Sequence, residues 1–134
     1  MFNYFNPLIN ENAYNYYIRC VNRFKKLLQY PEHKLFLIFF PNLFDDDIDD
    51  YMYKTIINFN NKFLKYTNNY TLLIIFHLPT GENSYTFTYN DNIHFLELHT
   101  LSKSNGVEFN NSYDNIYLDN LLTLTYKFNL KNKE

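Results

Sequence analysis

His77 and His99 stand at the ends of two apolar segments, residues 71–77 and 93–98. In α/β sheets ligands gather outside the carboxyl ends of the strands, so side chains at such positions are the first to ask about chemistry. With Asp114, Asn115 and the loop that carries Asn105 and Gly106, the two histidines could ring a small pocket. Two imidazoles without a tight spacing motif give little basis for a metal centre. The competing reading, histidines hydrogen-bonded where strands end, is the preferred one. His94 faces the opposite side of its strand from His99, so these two do not share a site. His33 falls in a turn and is expected to be solvated.

Other chemistry-bearing residues fare no better. Asp45, Asp46, Asp47, Asp49 and Asp50 follow an apolar run. As a calcium loop they fail, because the sixth position is Asp50 where glycine is needed and the twelfth is Ile56 where glutamate is needed. A DxD pattern after a strand also resembles the metal-holding motif of nucleotide-sugar glycosyltransferases. The same acids are accounted for by a helix start, where carboxylates meet the positive end of the dipole. Cys20 could be a nucleophile with His77, His94 or His99 as base. It sits inside a helical stretch rather than at a helix N-terminus, so an inert, partly buried thiol is expected. The stretch 102–106, Ser-Lys-Ser-Asn-Gly, lacks the spacing of a phosphate-binding loop. No cofactor is implied.

The elements that must position these residues follow from periodicity. Residues 11–29 read as a helix capped by Asn10, with Tyr14, Tyr17, Ile18, Val21, Phe24, Leu27 and Leu28 on one stripe. Residues 35–40 form a continuous apolar run, which fits a strand covered on both faces, as in a parallel sheet. A second helix is predicted over 45–66, with Ile48, Met52, Ile56, Phe59 and Phe63 inward. Residues 71–77 and 93–98 are further buried strands. Residues 84–89 alternate Tyr85, Phe87 and Tyr89 with threonines, the period of a half-exposed strand. Whether that segment pairs with 93–98 as a hairpin or lies on a rim stays open. Asp114 is expected to cap the last helix, with Tyr117, Leu118, Leu121, Leu124 and Phe128 buried and the tail from Lys131 in solvent.

At 134 residues the chain is expected to be a single α/β domain, spanning 1–134, with one modest core. A formal net charge of −2 gives no footprint for nucleic acid or anionic lipid. A single cysteine leaves no intramolecular disulfide and leans towards a reducing compartment. No apolar run approaches the ~20 residues of a membrane span, and the N-terminus lacks a secretory pattern, so a cytoplasmic location is expected. Asn69-Tyr70-Thr71 and Asn110-Asn111-Ser112 match the glycosylation pattern but should stay unmodified there. Asparagine outnumbers every other residue type, and Lys, Ile, Tyr and Phe are plentiful, the signature of AT-rich codons. Fourteen tyrosines are more than one small core can use, and surplus tyrosine suits an interface.

Several segments together resemble the C-terminal half of a family of predicted papain-like cysteine peptidases found in bacteria and giant DNA viruses. The residues carrying the likeness are Tyr17-Ile-Arg-Cys-Val-Asn-Arg-Phe-Lys-Lys-Leu-Leu28, similar to the family's Tyr-x-Arg-Arg-x-x-Arg-Phe-x-x-Leu-Leu helix, and the Lys34-Leu-Phe-Leu-Ile strand after it. Leu72-Leu-Ile-Ile, Phe95-Leu-Glu-Leu and the helix opening at Asp114-Asn115 add to it. The family's cysteine nucleophile belongs to a segment ahead of the part matched here. Its histidine region would fall near residues 2–9, which contain no histidine, and Cys20 stands where relatives carry a basic residue. The resemblance therefore implies a truncated, inactive relative, and a giant-virus origin that would place it in the host cytoplasm or the virion.

The expected fold is a small three-layer α/β sandwich, a mostly parallel sheet of three to four strands flanked by helices. The expected function is a non-catalytic interaction or scaffold module that binds a protein partner or a second copy of itself, and the resemblance implies a viral accessory or structural protein. The alternative is a divergent hydrolase or a glycosyltransferase-like enzyme with its site at the strand carboxyl ends.

Overall fold

A computed structural model describes residues 11–127. Four strands, β1 (Lys34–Phe40), β2 (Tyr70–Leu78), β3 (Ser84–Asn90) and β4 (Ile93–His99), form one sheet in the order β1-β2-β4-β3. β1, β2 and β4 run parallel, and β3 runs antiparallel along the outer side of β4. Helices α1 (Glu11–Leu28) and α2 (Asp50–Phe63) come before β2, and α3 (Ser112–Thr125) comes last. The fold is α/β, with a mostly parallel sheet, as its runs of apolar residues predict.

β2 is the centre because its sequence has nothing polar to expose between Leu72 and Phe76, and residues 72–78 are all buried. Its side chains divide by pleat between two cores. On one side Leu72, Ile74, Phe76 and Leu78 meet Phe95 of β4 and Ile56 of α2, with Met52, Tyr53, Ile57 and Phe63 closing over them. Tyr53 stands edge-on to both Phe76 and Phe95, ring centroids 5.6 and 4.8 Å away. On the other side Leu73 and Ile75 join Leu96, Leu98, Phe109 and Leu121 of α3.

The segment 84–89, left open above, is the first arm of a hairpin. Asn90 pairs with Ile93, so Asp91 and Asn92 form a two-residue turn, with Asp91 at φ 54°. A positive φ at the first central position matches the right-handed twist of the strands, and aspartate tolerates it.

Five expectations are corrected. β1 is an outer strand whose two faces are covered only in part: none of residues 35–40 is fully buried, and Leu37 is 46% exposed. Of the acids after β1, only Asp49 and Asp50 open α2. Asp45–Asp47 form a 3-10 turn in which the Asp47 carboxylate accepts from the Phe44 amide at 2.8 Å, and α2 begins afresh at Asp50, capped by Asp49 on the Met52 amide at 3.0 Å. α2 also ends at Phe63, short of Tyr66. Asn111, not Asp114, caps α3, accepting from the Tyr113 amide at 2.9 Å. Leu124 lies outside the core, 86% exposed. Asn10, the proposed cap of α1, lies outside the described residues, as do residues 2–9, Phe128 and the tail from Lys131.

α1 departs furthest from expectation. Its apolar stripe exists, but Tyr14, Tyr17, Ile18, Phe24 and Leu27 are each between 36% and 53% exposed, and Ala13 is its buried residue. Ties to the sheet gather at its last turns. Phe24 meets Phe36 edge-on at 6.2 Å, and the Thr67 hydroxyl donates to the Leu28 carbonyl at 2.5 Å. Just beyond the helix, buried Lys34 donates from Nζ to the carbonyls of Tyr30 and Asn68, at 2.6 and 2.9 Å, and more weakly to Glu32. His33, exposed as expected, is nonetheless bonded through both ring nitrogens, to Asn69 and Thr71, at 2.8 Å each.

Candidate functional site

The carboxyl ends of β1, β2 and β4 are where the fold would hold a ligand, and most of the candidate residues do gather there. The pleat separates the two histidines. His77 lies on the α3 side of the sheet with Leu73 and Ile75, while His99 shares the α2 side with Glu97.

His77 is fully buried, stacked on Phe39 at 5.7 Å and edge-on to Phe109 at 4.9 Å. Both ring nitrogens are used. The Asn42 amide donates to Nδ1 at 3.0 Å, which leaves the proton on Nε2 to be donated to the Thr100 hydroxyl at 2.6 Å. Thr100 passes its own proton to the Ser102 carbonyl at 2.7 Å. Burial holds the imidazole below its ordinary 6.5, against the opposing pull of the Ser102 backbone and the Asp114 charge. A neutral ring with both nitrogens occupied joins the segment after β1 to the segment after β4. It has no lone pair or proton left for a substrate. His99 is partly exposed, with Nδ1 3.1 Å from Thr80 Oγ1 and Nε2 3.4 Å from Glu97 Oε2.

Asp114 sits in the first turn of α3 with no exposed surface. Its carboxylate accepts from the amides of Leu101 and Ser102 at 2.9 Å each, the Ser102 hydroxyl at 2.7 Å and the Asn83 amide group at 2.9 Å. Burial alone would raise its pKa. The donors from Leu101, Ser102 and Asn83 outweigh that and hold it below the ordinary 3.8. Asn83 belongs to the loop of residues 79–83, which must pass over the end of β4 to reach β3 on its far side. Gly81, at φ 97°, donates there to the Thr100 carbonyl at 2.9 Å. The crevice beside β4, which in an open α/β sheet would receive a ligand, is occupied by the chain's own crossing.

Asn105, Gly106 and Asn115 shape the next loop. Asn105 Oδ1 accepts from the Val107 and Glu108 amides at 2.9 Å each, and Gly106 takes φ 98°. Asn115 clasps the backbone of Phe109, accepting at 2.9 Å and donating at 3.3 Å. Asn42, at φ 57°, holds the other side of the loop through reciprocal bonds with Ser104 of 2.8 and 2.9 Å. Among the described residues every buried side-chain nitrogen or oxygen has a hydrogen-bond partner. No three His, Cys, Asp or Glu side chains among them converge as metal ligands would. Asn42, Asn83, Thr100 and Ser102 were not marked out by sequence reasoning. Their turn-forming types are the only hint, and their partners are distant in the chain.

A concavity among the described residues lies elsewhere. An open groove of about 310 Å³ runs between β1 and α3, floored by Leu37, Phe39 and Ile75 and walled by Leu118, Leu122 and the loop around Val107. Of the candidate residues Gly106 and Asn115 line it, whereas His77, His99 and Asp114 do not. Glu108 and Asp119 stand among its polar residues. Apolar side chains predominate in its lining. Comparisons with protein-family models, curated proteins and solved structures give no match to this chain.

Proposed function

We propose that the chain is a non-catalytic interaction module that docks to protein through the side of the molecule formed by α1 and β1. One observation carries this reading: on the apolar arc of α1 the large side chains of Tyr14, Tyr17, Ile18, Phe24 and Leu27 are each at least 36% exposed, while Ala13 is buried and Val21 and Leu28 are part-buried. A surface helix normally buries such an arc. Next to it, β1 offers an outer strand with no charge or proline in residues 35–40 to discourage pairing. The strand ends, where an enzyme of this architecture would work, are filled by mutually satisfied polar groups. A setting as an accessory or structural protein of a giant virus rests on the family resemblance and the AT-rich composition.

The test is a photo-crosslinking residue placed at position 17, on the apolar arc, or at position 22, on the polar side, in the cells that make the protein. Position 17 should give a discrete adduct that Ile18→Asp abolishes, and position 22 should give none. Equal labelling from both positions, or none from either, refutes the reading.

A further inference from the structure

Two features flank the same outer strand. The last turns of α1 reach β1 at Phe36, and the groove is floored by Leu37 and Phe39 of the same strand. α1 is an apolar helix face without a groove, and the cleft between β1 and α3 is an apolar groove without a helix. Their charges are opposite. α1 carries Arg19, Arg23, Lys25 and Lys26 against Glu11 alone, and the groove carries Glu108 and Asp119. None of these four cations and two groove acids has an ion-pair partner among the described residues.

Resting on the reading of α1 and β1 as a docking side, we infer that the occupant of the groove is α1 of a second copy of this chain. The exchange is reciprocal about a two-fold axis beside β1. Phe36 and Leu37 alternate across the pleat, so α1 and the groove lie on opposite faces of the sheet at one edge. A two-fold partner approaching that edge therefore presents its helix to the groove and its groove to the helix, the self-complementarity an isologous dimer requires. Tyr17, Ile18 and Phe24 would fill the groove with side chains, which is what 310 Å³ admits. Arg23, one turn before Leu27, and Lys25, two turns after Ile18, lie at the two margins of the arc and would reach Glu108 and Asp119. Two such contacts together must bury on the order of 1,000 Å², the area a stable dimer needs.

The experiment is sedimentation equilibrium of the purified full chain. The helix variant is Tyr17→Asp with Ile18→Asp, and the groove variant is Leu37→Asp with Val107→Asp, all at residues exposed enough to leave the fold intact by circular dichroism. The wild type should dimerise, and each variant alone should associate about thirtyfold more weakly or worse, the scale of losing an interface anchor. Mixing the two variants should restore association, because the pair retains one intact helix and groove. The charge pair gives a second arm: Arg23→Glu with Lys25→Glu and Glu108→Lys with Asp119→Lys should each weaken the dimer and recover when mixed. A wild-type monomer, a dimer indifferent to the variants, or variants that fail to complement overturns the inference. A wild-type monomer that still gives a discrete adduct from position 17 in cells means a different partner occupies α1. The docking reading then survives and the homodimer does not.

Discussion

Asp114 illustrates how one residue can sit where expected and do something else. Its spacing from Tyr117, Leu118 and Leu121 makes it a reasonable helix cap, and the residue that does cap the helix, Asn111, is only one turn earlier. Choosing between them needs the amides of Leu101 and Ser102, brought up by the turn after β4. No pattern in residues 111–118 encodes those partners. Asp114→Ala would leave two backbone donors, a hydroxyl and the Asn83 amide facing a buried gap, and should cost about 3 kcal/mol. Asp114→Asn should cost less, since its oxygen still accepts while its NH₂ group faces donors. Urea denaturation measures both, and an alanine variant within about 0.5 kcal/mol of wild type would show the network to be dispensable. The histidine pair has a similar lesson. That both end strands is visible in the sequence. That they fall on opposite faces follows from the pairing of His77 with Leu98 and of Leu78 with His99, a register no single strand reveals.

Among the elements, those whose burial is complete were the most legible. β2 and β4 read as strands because long apolar runs with turn residues on both sides have few other uses, and α2 because its stripe is matched by the sheet face it covers. β1 read equally well as a strand, but its faces are covered only in part, since an outer strand with apolar residues on both faces has the same composition as a central one. α1 shows the limit of periodicity, which defines a face without saying what covers it. Stability should reflect that difference. At protein concentrations too low for association, Tyr17→Ser with Ile18→Ser should cost less than about 1 kcal/mol, because both side chains are already part-solvated. Phe76→Ala, fully buried between β1, α2 and β4, should cost about 3–5 kcal/mol. Equal losses in chemical denaturation would mean that α1 is integral to the core after all.

For the molecule as a whole, the buried groups at the strand ends set its response to acid. Folded His77 binds a proton less readily than it does unfolded, so the stability it lends is complete above 6.5 and drains away as pH falls towards its lowered folded value. Asp114 adds a second step that begins below 3.8 and runs to its own lowered value. Denaturation midpoints should therefore decline between about pH 7 and pH 5, before carboxylates titrate. His77→Gln, neutral throughout with a donor and an acceptor, should be less stable and shrink that first step to the part owed to His94, whose imidazole burial also holds below 6.5. A wild-type profile flat to pH 5 would contradict this account. The strand order also constrains how the chain assembles. β4 is the last of the four strands to be synthesised, yet its place is between β2 and β3, so the middle of the sheet cannot close until the chain has been made as far as His99. The β3–β4 hairpin, with its two-residue turn, can form locally and swing onto β2 as a unit. β1, synthesised first among the strands, must wait for Tyr70 and its successors before it has any neighbour at all. On the ribosome, the segment left longest without company is thus the same apolar strand that ends up on the outside, and crowded synthesis gives neighbouring nascent copies their first chance to meet there.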